Sequence, residues 1–267
     1  MKIFKKKTRL LQHLNQIRKK RIKVGLIPTM GCIHKGHLSL IKNSKNKKLY
    51  TIATIFINPL QFEKKEDFIK YPRSFNVDIK KIKESNCDVL FFPNFNEIYP
   101  KKVKINKIVK KYRNIMCDIY RPKHFDGVTT VVNILFSIIK PNFAFFGEKD
   151  FQQLMIIKNL VKIKKLTTNI IGCKSIRNRY GISISSRFNL LNYKETKTLN
   201  ELGKIIKKNK KNFKITTFKD CLKKIKIRKI DYIDIRNQLS LKKSIKDSRV
   251  FFALYIGKVR IIDNFKI

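Results

Sequence analysis

The sequence predicts an α/β fold, a doubly wound parallel sheet followed by a smaller C-terminal α+β domain. Short β-branched runs alternate with stretches of helical periodicity as far as about Arg187. Beyond that point two Lys-rich helical stretches precede three strand-like runs. A chain of 267 residues has the length for one large domain and one smaller one, expected at 1–174 and 175–267.

Residues 21–28 read as a short buried strand through Val24, Leu26 and Ile27, followed by a glycine-containing turn and a helix over 37–46. A second β-branched run covers 49–57. Ser74 is placed to cap a helix reaching Ser85, in which Phe75, Ile79 and Ile82 recur at helical spacing, and 88–92 reads as a third strand. Residues 127–139 form a buried helix stopped by Pro141, 143–146 a strand, 150–161 an amphipathic helix and 167–171 a strand. Such alternation asks for crossover connections and a parallel sheet. The second part carries helices at 193–208 and 217–226, then strands at 232–235, 250–256 and 259–262.

The formal charge of +45 has a natural reading as a nucleic-acid or anionic-membrane partner. Composition offers a plainer one. Lys, Asn, Ile and Phe, all with AT-rich codons, are abundant, Ala occurs only at 53, 144 and 253, and Trp is absent. The cations run the whole length, from Lys5-Lys6-Lys7 to Lys242-Lys243, as a solvated surface does, and mark no single arm. Surface scaling gives about 270 Å² per net charge, a mean spacing of about 16 Å, beyond the Debye length of about 8 Å at physiological salt. The repulsion is therefore largely screened, and no dedicated nucleic-acid partner is expected.

Segment 1–11 is basic without an apolar core of a leader, and the longest charge-free apolar stretch, 128–139, is too short to span a bilayer. Cys32, Cys87, Cys117, Cys173 and Cys221 are odd in number, widely spaced and lack metal-ligand spacing. Reduced thiols in a cytoplasmic protein are the expectation, with no membrane partner.

The strongest local feature is PTMGCIHKGH, 28–37, directly after the first strand and opening a helix. In open α/β sheets ligands sit at the carboxyl ends of strands, where helix N-termini supply N–H donors and positive dipole. Gly31 and Gly36 would let the backbone approach a phosphate, and His34 and His37 add imidazole donors for phosphoryl oxygens. Attack of a carboxylate on an α-phosphate builds negative charge on nonbridging oxygens and on the departing pyrophosphate, so preorganised donors there lower the barrier.

Three other strings sit at strand ends or at the change of pattern. Asn58 and Gln61 follow the second strand, where a polar pair is out of place in a core; Asn58-Pro59 also reads simply as a turn. GEKD, 147–150, joins a strand end to a helix start, and Ser185, Ser186 and Arg187 suit either a capped loop or a phosphate clamp.

The HxGH element is shared by nucleotidylyltransferases and class I aminoacyl-tRNA synthetases. Its surroundings are narrower: TIFINPLQF at 54–62, YPRS at 71–74, RPKHFDGV at 121–128, FGEKDFQQL at 146–154, ISISSR at 182–187 and VRIIDN at 259–264. Together they resemble the pantothenate synthetase family. The resemblance implies an N-terminal Rossmann-like domain, a C-terminal lid, a homodimer, and ATP with Mg²⁺, pantoate and β-alanine as small-molecule partners. It implies ATP contacts at Met30, Gly31, His34, His37, Gly147, Glu148, Lys149, Asp150, Ile176, Ile184, Ser185, Ser186 and Arg187. Gln61, Gln153 and Asn58 are implied for pantoate and β-alanine, and His34, His37 and Lys149 for catalysis. Tyr71, Arg73, Arg121 and His124 lie in the family strings without an assigned step.

The implied reaction is ATP-dependent condensation of pantoate with β-alanine through pantoyl adenylate. The alternatives are an HxGH nucleotidylyltransferase with another acceptor and a basic RNA-binding protein. Departures from the family pattern are Arg179-Tyr180 where Lys-Asp is common, and Lys123 and Asp126 around His124-Phe125.

Overall fold

Strands apolar on both faces pair in parallel and need helices on each side. The computed structural model describes residues 1–100 and 103–267. Among them, β1 (Lys2–Phe4), β2 (Val24–Thr29), β3 (Tyr50–Ile55), β4 (Val89–Phe91), β5 (Phe143–Gly147) and β6 (Asn169–Cys173) form one parallel sheet in the order β1-β4-β3-β2-β5-β6. The helices of this part are α1 (Lys7–Lys19), α2 (Lys35–Asn46), α3 (Lys65–Ile69), α4 (Phe75–Glu84), α5 (Phe95–Ile98), α6 (Cys117–Tyr120), α7 (His124–Ile139) and α8 (Phe151–Ile163).

The period of two along each strand sorts the core onto two faces. Leu26, Ile52, Val89 and Ala144 pack with residues of α1, α7 and α8. Their neighbours Ile27, Ala53, Leu90 and Phe145 pack with residues of α2 and α4. Helices on both faces make the sheet doubly wound, as the alternating pattern predicted.

The strand order reverses between β2 and β5. β2 runs beside β3 over its whole length, to Thr29↔Ile55, but pairs with β5 only at Gly25↔Phe143 and Leu26↔Ala144. The two strands part at their carboxyl ends, and a crevice opens at the switch point, where ligands of such sheets bind.

The C-terminal part carries α9 (Tyr193–Asn209), α10 (Ile215–Lys224) and an antiparallel sheet of β7 (Ile230–Asn237), β8 (Ser248–Ile256) and β9 (Val259–Lys266), in the order β7-β8-β9. Along β8, Val250, Phe252, Leu254 and Ile256 join Leu199, Leu202, Phe218 and Leu222 in a separate core. Phe251 points the other way, into the first core and against Phe151 at 5.8 Å between ring centroids. The small sheet therefore turns one face to its own helices and the other to the switch point.

Three sequence expectations need adjustment. β1 and α1 were not expected; in α1, Leu10, His13, Leu14 and Ile17 are buried at helical spacing, a period hidden among the surrounding cations. α7 begins at His124, so Gly127 lies inside its first turn rather than at its start. Ser74 precedes α4 without capping it, because its hydroxyl donates to Asp78 Oδ1 at 3.1 Å.

Candidate active site

The crevice at the diverging ends of β2 and β5 is lined from the first part by Met30, His34, His37, Gln61, Gly147, Lys149, Asp150 and Gln153. The C-terminal part adds Ile176, Ile184, Ser185, Ser186, Arg187, Tyr232, Asp263 and Asn264. Most of the residues singled out in the sequence thus meet at one place, although they lie far apart along the chain.

The histidine pair opens α2. His34 is its N-cap, and His34 Nδ1 accepts from Gly36 N at 3.1 Å. His37 Nδ1 faces the backbone N–H of His34 at 3.4 Å, and the rings stack with centroids 4.1 Å apart. Each Nδ1 is an acceptor, so in the neutral imidazoles the proton sits on Nε2. Burial, then the charge of Lys149, lowers the pKa of His34 to about 4. Burial, then His34 and Lys149, lowers that of His37 to about 3. At neutral pH the site holds two uncharged rings, each with an Nε2–H donor, beside the positive end of a helix dipole.

Gly36 has a further task beside the one expected. A Cβ there would come within 2.8 Å of His34 Cε1, so the bare backbone is what lets the His34 ring fold back as a cap. Gly31, with φ +82, and Cys32, with φ 51, take the left-handed turn that precedes the histidines. Asp78 of α4 pins that turn: Oδ2 accepts from Cys32 N and Oδ1 from Ile33 N, each at 2.7 Å. Charge-assisted bonds of this kind hold strained backbone firmly. Asp78 is 2% exposed and was not singled out in the sequence; a carboxylate at a buried helix position was its available signal.

Gln61 lies in a short 3-10 turn, Pro59–Gln61, after β3. Its Oε1 accepts from Asn58 Nδ2 at 3.1 Å, and its Nε2 contacts Met30 Sδ at 2.9 Å. Asn58 does not line the crevice. Buried to 1%, it braces Gln61 from behind, donating to Gly127 O and accepting from Tyr99 OH at 2.8 Å. α7 crosses this turn closely: a Cβ on Gly127 would lie 2.6 Å from Gln61 N and closer still to Leu60.

On the other wall, Gly147 ends β5, and a Cβ there would meet no protein atom within 4 Å. Lys149 lines the crevice, its Nζ 3.4 Å from Asp150 Oδ1. Glu148 turns away from the crevice to pair with Arg249 at 3.3 Å. Gly31 likewise stands behind the lining, with its N–H on Thr29 Oγ1 at 3.2 Å.

The 176–187 segment doubles back on itself, with Ile184 N donating to Ile176 O at 2.9 Å. Ser185 Oγ accepts from Arg187 N at 3.3 Å and starts the turn that carries the Ser-Ser-Arg triplet. The structure thus contains the capped loop, and it puts the triplet at the mouth of the crevice. Tyr180, in place of the common acid, packs between Arg179 and Lys204, whose charges lie 4.8 Å and 5.9 Å from its ring centre. Asp126 pairs with Arg113 at 2.6 Å and Lys123 is exposed, so neither departure around His124 faces the crevice.

Arg121 and His124 also line the crevice, while Arg73 lies elsewhere, bonded to the carbonyls of Phe68, Ile69 and Tyr71. His124 Nδ1 donates to Gln61 O at 2.8 Å, and Arg121 Nη2 donates to the same carbonyl at 3.2 Å. Burial, then Arg187, lowers the Arg121 pKa to about 10. Among the described residues no carboxylate pairs with Arg121 or Arg187, so two guanidinium groups face the crevice without a protein anion. Such a site accepts an anionic ligand.

Known proteins match this chain from end to end. Residues 2–266 match the family model described as pantoate-beta-alanine ligase. A pantothenate synthetase from Caldicellulosiruptor bescii is 39% identical over 270 residues, 95% of this chain and 96% of its own. One from Buchnera aphidicola subsp. Acyrthosiphon pisum is 39% identical over 274 residues, with 97% and 95% covered. Among solved structures, pantothenate synthetase from Thermus thermophilus superposes with a TM-score of 0.91 at 28% identity, over 100% of this chain and 99% of that one. The pantoate-beta-alanine ligase of Francisella tularensis, in complex with beta-gamma ATP and β-alanine, superposes with a TM-score of 0.86 at 35% identity, over 100% and 97%. With the crevice, its histidine pair and its Gln61 turn all carried on a chain matched over nearly its full length, this protein belongs to the pantoate–β-alanine ligase family.

Proposed function

We propose that the crevice is where this enzyme forms pantothenate from pantoate, β-alanine and ATP. The observation that carries the assignment is the pair of neutral imidazoles at the N-terminus of α2, facing Lys149 across the switch point.

In the first step a pantoate carboxylate oxygen attacks the α-phosphorus, and the bond from that phosphorus to the bridging oxygen of the β-phosphate breaks, releasing pyrophosphate. His34 and His37 donate Nε2–H to the nonbridging oxygens as charge grows there. Lys149 and Arg187, with Ser185 and Ser186, hold the polyphosphate, while Met30, Gly147, Asp150, Ile176 and Ile184 form the rest of the nucleotide seat, with Gly31 and Glu148 supporting it from behind the lining. Gln61, braced by Asn58, and Gln153 orient pantoate. In the second step the neutral amine of β-alanine attacks the acyl carbon, AMP leaves, and the amine loses its proton. Proximity in a closed crevice drives this step.

Bound together with ATP, Mg²⁺ would supply neutralisation of phosphate charge. Of the two carboxylates that line the crevice, Asp263 is fully bonded, so Asp150 is the one that would be open to a phosphate-bound cation.

Residues 1–174 and 175–267 form the nucleotide-binding body and the lid, a division supported by the separate core around Ile182, Leu202 and Phe252. The homodimer and a cytoplasmic location rest on family likeness; no helix among the described residues is long and apolar enough to cross a membrane.

The test is mass-spectrometric detection of pantothenate and AMP from the three substrates. His34→Ala and His37→Ala are each expected to slow product formation by about a hundredfold or more. Unchanged rates in both variants would remove the histidines from the site.

A further inference from the structure

The adjacent residues Asp263 and Asn264 lie near the end of β9, in an otherwise apolar stretch. Successive strand residues face opposite sides. Asn264 pairs in register with Phe251, which packs into the first core, and Asp263 with Phe252, which packs into the C-terminal core. One side chain therefore faces the body and the other faces the lid interior.

Asn264 spends both Nδ2 hydrogens across that junction. Its Nδ2 donates to Glu148 O at 2.8 Å and to Lys149 O at 2.9 Å, and its Oδ1 accepts from Arg249 Nε at 2.8 Å. Arg249 in turn reaches Glu148 Oε2 at 3.3 Å. The two carbonyls held by Asn264 bracket the peptide that carries Lys149, so their direction sets where the lysine side chain leaves the backbone.

Asp263 does the same for the opposite loop. Its carboxylate accepts from Arg177 Nη1 at 2.7 Å, Ser183 N at 2.9 Å and Ser183 Oγ at 2.6 Å. Arg177 also donates to Gly181 O at 2.7 Å and Asn264 O at 2.6 Å, which fixes both strands of the turn leading into Ser185, Ser186 and Arg187.

Resting on the adenylyl-transfer reading above, we propose that Asp263 and Asn264 are positioning residues for the first half-reaction, holding the Lys149 loop and the Ser-Ser-Arg loop in mutual register from the two faces of one strand. A pair of apolar residues would pack there but would leave both loops free to turn. The second half-reaction, which needs no polyphosphate clamp, is independent of the pair.

Two rates on the full-length protein test this: pantoate-dependent ATP–pyrophosphate exchange, and single-turnover reaction of supplied pantoyl adenylate with β-alanine. Asn264→Ala is expected to slow exchange about tenfold to a hundredfold, with the pantoate KM unchanged and the β-alanine reaction within about twofold of wild type. Asn264→Asp keeps the shape but sets a carboxylate oxygen against two carbonyls, and should show the same selective loss. Combined with Lys149→Ala, either change should add less than about threefold, because it acts through that lysine. Asp263→Asn should raise the ATP KM about tenfold and leave the pantoate KM alone.

Exchange near wild type in both Asn264 variants, equal losses in the two half-reactions, or multiplicative effects with Lys149→Ala would each overturn the proposal. Failure of both Asn264 variants to fold would make the residue structural and overturn it too; an unchanged ATP KM in Asp263→Asn removes Asp263 from the pair. Wild-type protein lacking exchange would instead defeat the adenylation reading itself.

Discussion

His34 and His37 act as donors only while they are uncharged on Nδ1. Protonating either ring there would end its bond from the backbone, and burial already opposes the charge. The folded values of about 4 and about 3 lie below the ordinary 6.5. For such a base the unfolded chain takes up protons first as pH falls. Stability from these rings is therefore complete above 6.5 and declines from there toward about 4. His124, held well below its ordinary value by burial and then by Arg121, adds to the same trend. Two outcomes are expected. The urea midpoint falls between pH 7 and pH 5, and falls less steeply in His34→Gln. The exchange rate, corrected for folded fraction, shows no limb near 6.5; a limb there that vanishes in His34→Gln would mean the working ring is the charged one.

Between α7 and the turn that carries Gln61, the contact is backbone against backbone, which only Gly127 permits. Gly127→Ala should push the 59–61 turn away and take Gln61 with it. A cost of about 1–3 kcal/mol in urea denaturation is expected, as for overpacking elsewhere. The pantoate KM should rise about tenfold while the ATP KM holds; an unchanged pantoate KM would detach Gln61 from pantoate. Strands β2 to β6 and helices α2, α7 and α8 were legible in the sequence because their signal is local period and local turn chemistry, whereas β1 was not. α1 was missed because Lys and Arg crowd the same turns as its buried leucines. The histidines were legible for the same local reason. Asp78 was not, since its value comes from α4 packing on a turn 46 residues away, and neither was the bracing role of Asn58, which depends on α7 and Tyr99. At Gly36 the close approach of the neighbouring His34 ring depends on how that side chain folds back, which the sequence does not display.

Over the whole molecule the exposed area is 15135 Å², which with a net charge of +45 gives about 340 Å² per charge, more dilute than the scaling value and still spaced beyond the screening length. Weak RNA binding that drops steeply between about 50 and 200 mM salt and ignores sequence is the expected behaviour. Fluorescence anisotropy with several unrelated RNAs would measure it, and one RNA preferred at physiological salt would point instead to a dedicated nucleic-acid role.

β2 and β5 share only two paired positions before they separate. The ligand seat is accordingly set by where a hydrogen-bond ladder stops and not by the bulk of any side chain around it. A chain so rich in Lys, Asn and Ile can therefore keep its active site. Substitution erodes walls made of side chains, whereas a gap between two backbones closes only if the strands themselves change partners.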